Sequence, residues 1–238
     1  MLPGRSHRRQ RQATQGSQPS GNTPDSYQLR FPTVVDAVSR SDYDAVTQIA
    51  EEIDLNAVSD RQNSRLLAIA PLVLVYLIQN QTPPARYALA RLSESHAAHP
   101  LINLLTSLLA FTTTRDHRQV YGTGEKIVDL VSQADFFHQE FGLVLTKLTT
   151  VFIEQFRRRT FELISKAYSS LPRSLAEKYL GASGEAIVAE AAKNGWEYDS
   201  GAQLLKPNAS TAREERQMSS SSLSSFVFIA NSVGKLEA

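Results

Sequence analysis

The run Leu66–Ile78 reads LLAIAPLVLVYLI, with no charged side chain and a single tyrosine hydroxyl to offer water. An amphipathic surface helix cannot carry such a segment, because every face would be apolar. It also falls short of the ~20 residues that a bilayer span requires. A helix buried on all sides satisfies it, so the remaining chain has to wrap around it. The 42% apolar content is enough to build that shell. Inside the run, Pro71 predicts a kink or a break between two helices, since proline removes a donor and crowds the preceding turn.

Helical spacing prevails on both sides of this centre. Val34, Val35 and Val38 predict a short helix ending near Ser39–Ser41, and Asp42 reads as the N-cap of the next. In that second helix Tyr43, Val46, Ile49, Ala50 and Ile53 recur at i, i+3 and i+4. Thr82-Pro83-Pro84 opens a fourth helix, with proline in the first turn, where its missing N–H is harmless. Pro100 begins a fifth over Leu101–Phe111, Asp116 caps a sixth through Val131, and a last long helix opens near Asp135. Antiparallel helices of ~12–15 residues on short turns are the sequence form of an α-solenoid. The expectation is a mainly α, tetratricopeptide-like stack over residues 27–155, without a regular repeat period.

A different pattern occupies residues 156–207. Phe152, Phe156, Leu163 and Ala167 keep helical spacing until Pro172 ends the run. Ser174 is a candidate N-cap for Leu175–Leu180, with Gly181 as the residue after its end. A second short helix follows over Gly184–Lys193 and closes on Asn194-Gly195. Trp196-Glu197-Tyr198-Asp199 alternates as a half-buried strand, Ser200-Gly201 turns, and Gln203–Lys206 returns before Pro207. Three helices and a hairpin in this order predict a winged helix.

Its second short helix would be the one to enter a DNA major groove. That helix carries Glu185 and Glu190 against Lys193 and has no arginine, a poor composition for phosphate or base-edge contacts. The expectation is a winged helix that docks protein and not nucleic acid. Arg157, Arg158 and Arg159 sweep roughly 200° of their helix, so they cannot all face water. Arg159 lies on the apolar stripe, three residues after Phe156 and four before Leu163. Two readings stand for it: a carboxylate or carbonyl partner inside the chain, or a guanidinium that reaches a neighbouring subunit.

The two ends of the chain are polar. Residues 1–26 form a basic tail with Arg5, Arg8, Arg9 and Arg11 and almost nothing to bury, expected to be disordered. No apolar stretch follows these arginines, so they do not read as a secretory signal. Residues 208–222 read as a linker ending in four serines. Residues 223–238 then form an amphipathic helix whose Leu223, Phe226, Val227, Ile229, Ala230 and Val233 share an apolar face. Such a helix either packs back on its own domain or inserts among helices of other chains. In the second case each buried apolar side chain is worth ~1.5–3 kcal/mol, enough for a strong anchor.

No catalytic set, metal site or cofactor motif is expected. The chain has no cysteine, which removes disulfides, thiol nucleophiles and thiolate metal sites and suits an intracellular setting. His96 and His99 are three apart but lack a third ligand. Gly122 and Gly124 lack the spacing and lysine of a phosphate loop, and no Gly-x-Ser-x-Gly elbow occurs. A net charge of +1 points to neither nucleic acid nor membrane as partner.

The segment Phe156–Ser170, followed by Ala192-Lys193-Asn194-Gly195-Trp196-Glu197-Tyr198-Asp199, resembles the winged helix of the small PCI subunits, the family that includes the smallest subunit of the COP9 signalosome. Pro83-Pro84-Ala85-Arg86-Tyr87 and Arg115-Asp116 with Tyr121 resemble its upstream helix starts, and Lys235-Leu236-Glu237 its terminus. The basic tail is not part of that pattern, and Pro83-Pro84 replaces its polar helix start. The resemblance implies stacked helices, a winged helix and a C-terminal helix. It also implies a non-catalytic role in an assembly that removes Nedd8 from cullins, in the cytoplasm and nucleus. Its partners would be other subunits, met through Arg157, Arg158, Arg159 and the apolar face of residues 223–233. A small subunit of the proteasome lid or of translation initiation factor 3 is the sibling reading.

Overall fold

The computed structural model describes residues 24–56 and 63–207. The expected linker and terminal helix, including Leu223, Phe226, Val227, Ile229, Ala230 and Val233, lie outside the described residues, as does nearly all of the basic tail. In chain order the helices are α1 (Ser26–Ser39), α2 (Tyr43–Leu55), α3 (Leu66–Ile78), α4 (Thr82–Ala90), α5 (Glu94–Ala97), α6 (Pro100–Thr114), α7 (His117–Val131) and α8 (Gln139–Ala167). Strand β1 (Leu171–Pro172), helices α9 (Arg173–Leu180) and α10 (Glu185–Lys193), and strands β2 (Trp196–Asp199) and β3 (Leu204–Pro207) complete the fold. It is mainly α: a stacked helical array followed by a winged helix.

Every side chain of α3 is buried, and the helix packs against α1, α2, α4, α6 and α8. Pro71 neither splits it nor ends it. Proline inside a helix costs ~3 kcal/mol, whereas each of the Leu, Ile and Val side chains around it returns ~1.5–3 kcal/mol on burial. Continuity therefore wins. A 3₁₀ turn over Asn63–Arg65 leads in, and Asn80, in the left-handed region at φ 61°, leads out.

Three helix starts differ from their expected places, two of them through local capping chemistry. α1 begins at Ser26, upstream of Val34, because Asp25 and Gln28 form a reciprocal capping box. α8 begins at Gln139 and not near Asp135: His138 supplies the cap, its Nδ1 accepting from the Phe141 amide at 3.1 Å. α9 begins at Arg173, with Pro172 and not Ser174 as its N-cap residue. The short α5 and the two-residue β1 have no sequence signal of their own. β1 exists because Leu171 and Pro172 pair antiparallel with Leu205 and Leu204, giving the sheet order β1-β3-β2.

One apolar cluster runs through the array from Tyr27 to Phe156; a second, from Phe161 to Leu205, fills the winged helix. α8 belongs to both without a break, so its last turns act as the first helix of the winged helix.

The array also buries an ion network. Asp54 Oδ1 accepts from Arg65 Nη2 at 2.7 Å and Nε at 3.0 Å, and Oδ2 accepts from Arg91 Nη2 at 2.7 Å. The Asp54 and Arg65 side chains are almost fully buried, while that of Arg91 is half exposed. Removing the carboxylate would strand a buried guanidinium, which typically costs ~3–5 kcal/mol. Asp54→Ala is therefore expected to destabilise the chain by several kcal/mol in urea unfolding and Arg91→Ala by much less; equal losses would contradict this account.

Candidate docking site

Beyond the continuity of α8, the winged helix meets the array at a joint built around the end of α9. Gly181 closes α9 in the left-handed region at φ 61°, leaving the last carbonyls of the helix without intrahelical partners. Two side chains of the array take them. Tyr121 of α7 donates its hydroxyl to the Tyr179 carbonyl at 3.1 Å, and Arg157 of α8 donates Nε to the Leu180 carbonyl at 2.9 Å. The Arg157 guanidinium also sits 5.5 Å from the Tyr121 ring centre. A Cβ on Gly181 would come within 2.2 Å of that ring, so the joint requires glycine.

Aromatic packing completes the contact. His117 lies between Phe156 at 5.5 Å and Tyr179 at 5.2 Å, and Tyr121 meets Phe156 edge-on at 5.8 Å. Burial pushes the Tyr121 hydroxyl up to about 12, with Arg157 opposing, so it stays a donor through the neutral range. Burial also holds the His117 imidazole below its usual value. Arg115 and Lys178 add to that depression, while Asp116 opposes it.

The three arginines separate as their positions on the helix dictate. Arg159 reaches α3, donating Nη1 to the Ile78 carbonyl at 2.8 Å and Nη2 to the Leu77 carbonyl at 3.2 Å. Arg157 holds α9, as above. Arg158 stays exposed beside Glu162 at 3.7 Å. Of the two readings for Arg159, the carbonyl partner inside the chain is the one the structure contains.

The face left for a partner lies on the winged helix itself. Among the described residues β2 pairs on one side only, with β3, so its other edge is open. The exposed positions of α10 are Glu185, Ala186, Ala189, Ala192 and Lys193, a small surface with no net charge. Three of its nearby cations are engaged locally, Arg173 with Glu177 at 3.0 Å, Lys206 with Asp199 at 3.0 Å, and Lys193 with Glu190 at 3.6 Å, while Lys166 and Lys178 are exposed. Leu163 and Tyr168 are the large apolar side chains exposed near this end of α8. Behind the strand Trp196 is buried, its Nε1 donating to Ser165 Oγ at 3.1 Å and its ring 5.3 Å from Phe161. Such a surface offers chiefly backbone edge and small apolar area, with few cations for phosphate.

Sequence spacing flagged Arg159 and Gly181 but missed His117 and Lys147 as structural groups. Lys147 donates Nζ to the Val38 and Ser39 carbonyls at 2.8 and 3.0 Å, ending α1. The lone hint was its position on a helix that carries both clusters. The six apolar residues of the expected terminal helix are outside the described residues.

Residues 65–216 match the profile of the CSN8/PSMD8/EIF3K family. Over 62 residues the chain is 42% identical to COP9 signalosome complex subunit 8 of Dictyostelium discoideum, a stretch covering 26% of this chain and 32% of that protein. The aligned stretch thus spans about a third of the relative's length.

Two outcomes follow from the joint and the arginines. Arg159→Ala should cost about 1.5–3 kcal/mol, the range for a charged donor lost from carbonyls, against ~0–1 kcal/mol for the exposed Arg158→Ala; equal unfolding midpoints would refute the assignment. Since the fold favours neutral His117, its contribution is fully present above the ordinary imidazole value near ~6.5 and fades as pH falls through the depressed folded value. Acidification from about pH 7 to 5 should therefore lower the melting temperature of the unmodified chain more than that of His117→Gln.

Proposed function

The chain belongs to the CSN8/PSMD8/EIF3K family, and from that premise we propose that it is a non-catalytic structural subunit of the COP9 signalosome, acting in the cytoplasm and nucleus. The observation that carries this reading is the winged helix with an open strand edge and with most of its cations engaged by local carboxylates or helix-end carbonyls. A module of that chemistry adds area and backbone hydrogen bonds to a neighbour and has little to offer a nucleic acid. The amphipathic face of residues 223–233 supplies the second contact in this reading, by insertion among helices of other subunits.

Within the assembly the chain would hold subunits in place while another subunit removes Nedd8 from cullin-RING ubiquitin ligases. The family description covers two further assemblies, the proteasome lid and translation initiation factor 3. Similarity to a signalosome subunit favours the first assignment.

Affinity purification of the full chain, with mass spectrometry of what accompanies it, distinguishes the three. Recovery of signalosome subunits together with Nedd8-removing activity is the expected outcome, and recovery of proteasome-lid or initiation-factor subunits would replace it. Deleting residues 223–238 should release the chain from its partners while its melting temperature stays within a few degrees; normal co-migration of the truncated chain on a sizing column would count against the anchoring role.

A further inference from the structure

Beside the α9 joint, α7 and α8 leave a groove of ≈ 320 Å³ that ends at Arg157 and Gly181. Val128 and Ile153 supply its apolar lining, and Glu125, Asp129 and Glu154 stand along it. All three carboxylates are exposed, and among the described residues none has an ion-pair partner. Thr149 also lines the groove; it is 1% exposed, and its hydroxyl has no hydrogen-bond partner among the described residues. An acidic, partly apolar groove with an unspent hydroxyl calls for a cationic segment bearing N–H donors.

The chain carries such a segment. Arg5, Arg8, Arg9 and Arg11 fall within seven residues, and no acidic residue occurs before Asp25. We infer that this N-terminal basic segment docks in the groove between α7 and α8 of its own chain. The geometry permits it. Phe31 of α1 packs against Phe141 at 5.8 Å, near the start of α8. From Phe141 to Arg157 the helix rises ~24 Å, and the residues between Arg11 and Pro24 can extend to ~45 Å. Tethering supplies an effective concentration of order mM, so even a weak charge-driven contact is populated at low salt. Docked there, the arginines offset carboxylates that would otherwise repel one another and cover the joint that fixes the winged helix to the array.

Because the chain has no cysteine, two introduced cysteines report this contact without interference. Spin labels on Ser6→Cys and on Gln119→Cys, an exposed site in the first turn of α7, are placed in the full-length chain and their separation is measured by pulsed dipolar spectroscopy. The expected result is a short, narrow distance at low salt, lost in molar salt as screening removes the attraction. The same loss is expected when Glu125→Gln, Asp129→Asn and Glu154→Gln are combined, with the melting temperature retained. The salt series needs no groove substitution, so it stands even if the triple variant folds poorly. A broad distribution at low salt overturns the inference. So does a short distance that ignores the three substitutions, or groove protection from hydrogen exchange that appears only when partner subunits are added.

Discussion

Cationic side chains of one helix closing the ends of three others are the interaction on which the architecture turns. Each α-helix finishes with carbonyls that have no intrahelical donor, at the negative end of its dipole. From α8, Lys147 takes those of α1, Arg159 those of α3 and Arg157 that of α9. Water could satisfy the same carbonyls on an exposed helix end. Leu77, Ile78 and Leu180 are buried, however, and for them the donor has to come from the protein. The caps therefore fix where each helix ends relative to α8, which apolar packing alone would leave free to slide.

That requirement originates in α3. A helix with no polar face has no outward side, so its neighbours must close around it and its ends must be dealt with internally. At its start the Asp54 carboxylate joins Arg65, just before the helix, to Arg91, just after α4. At its end stands Arg159. The two charged devices cost desolvation, and apolar replacements can match such networks in stability. What they add is specificity: each accepts only one register of α3 against α2, α4 and α8.

How much of this was legible follows from whether a signal is local. The Asp116 cap, the prolines opening α4 and the Trp196 hairpin are local, and each is found where the sequence places it. Gly181 was legible as a helix stop, although the reason for it, the Tyr121 ring against its Cα, is a contact across distant chain. Lys147 reads as an ordinary surface cation because nothing within several residues reveals the α1 terminus beside it. β1 is two residues long and exists only through β3, so no window of sequence could show it. His138 was hidden by a better-looking cap at Asp135. For the docking surface, the winged-helix order was readable, whereas the division of labour among Arg157, Arg158 and Arg159 depended on which helix ends happened to lie across from them.

The same division bears on what the winged helix can do. This fold serves DNA readers and protein adaptors alike, so shape by itself decides nothing. Charge placement discriminates. A duplex reader needs cations free to meet phosphates, because their number sets both affinity and its salt dependence. Here Arg157 and Arg159 of α8 are turned inward to carbonyls, and Arg173, Lys193 and Lys206 are turned sideways to Glu177, Glu190 and Asp199, leaving Arg158, Lys166 and Lys178 exposed among the described residues of the module. To bring its engaged cations to phosphate as well, the module would have to surrender bonds that hold it to the array and to itself. A neighbour's strand along β2 demands no such exchange, since that edge is unspent.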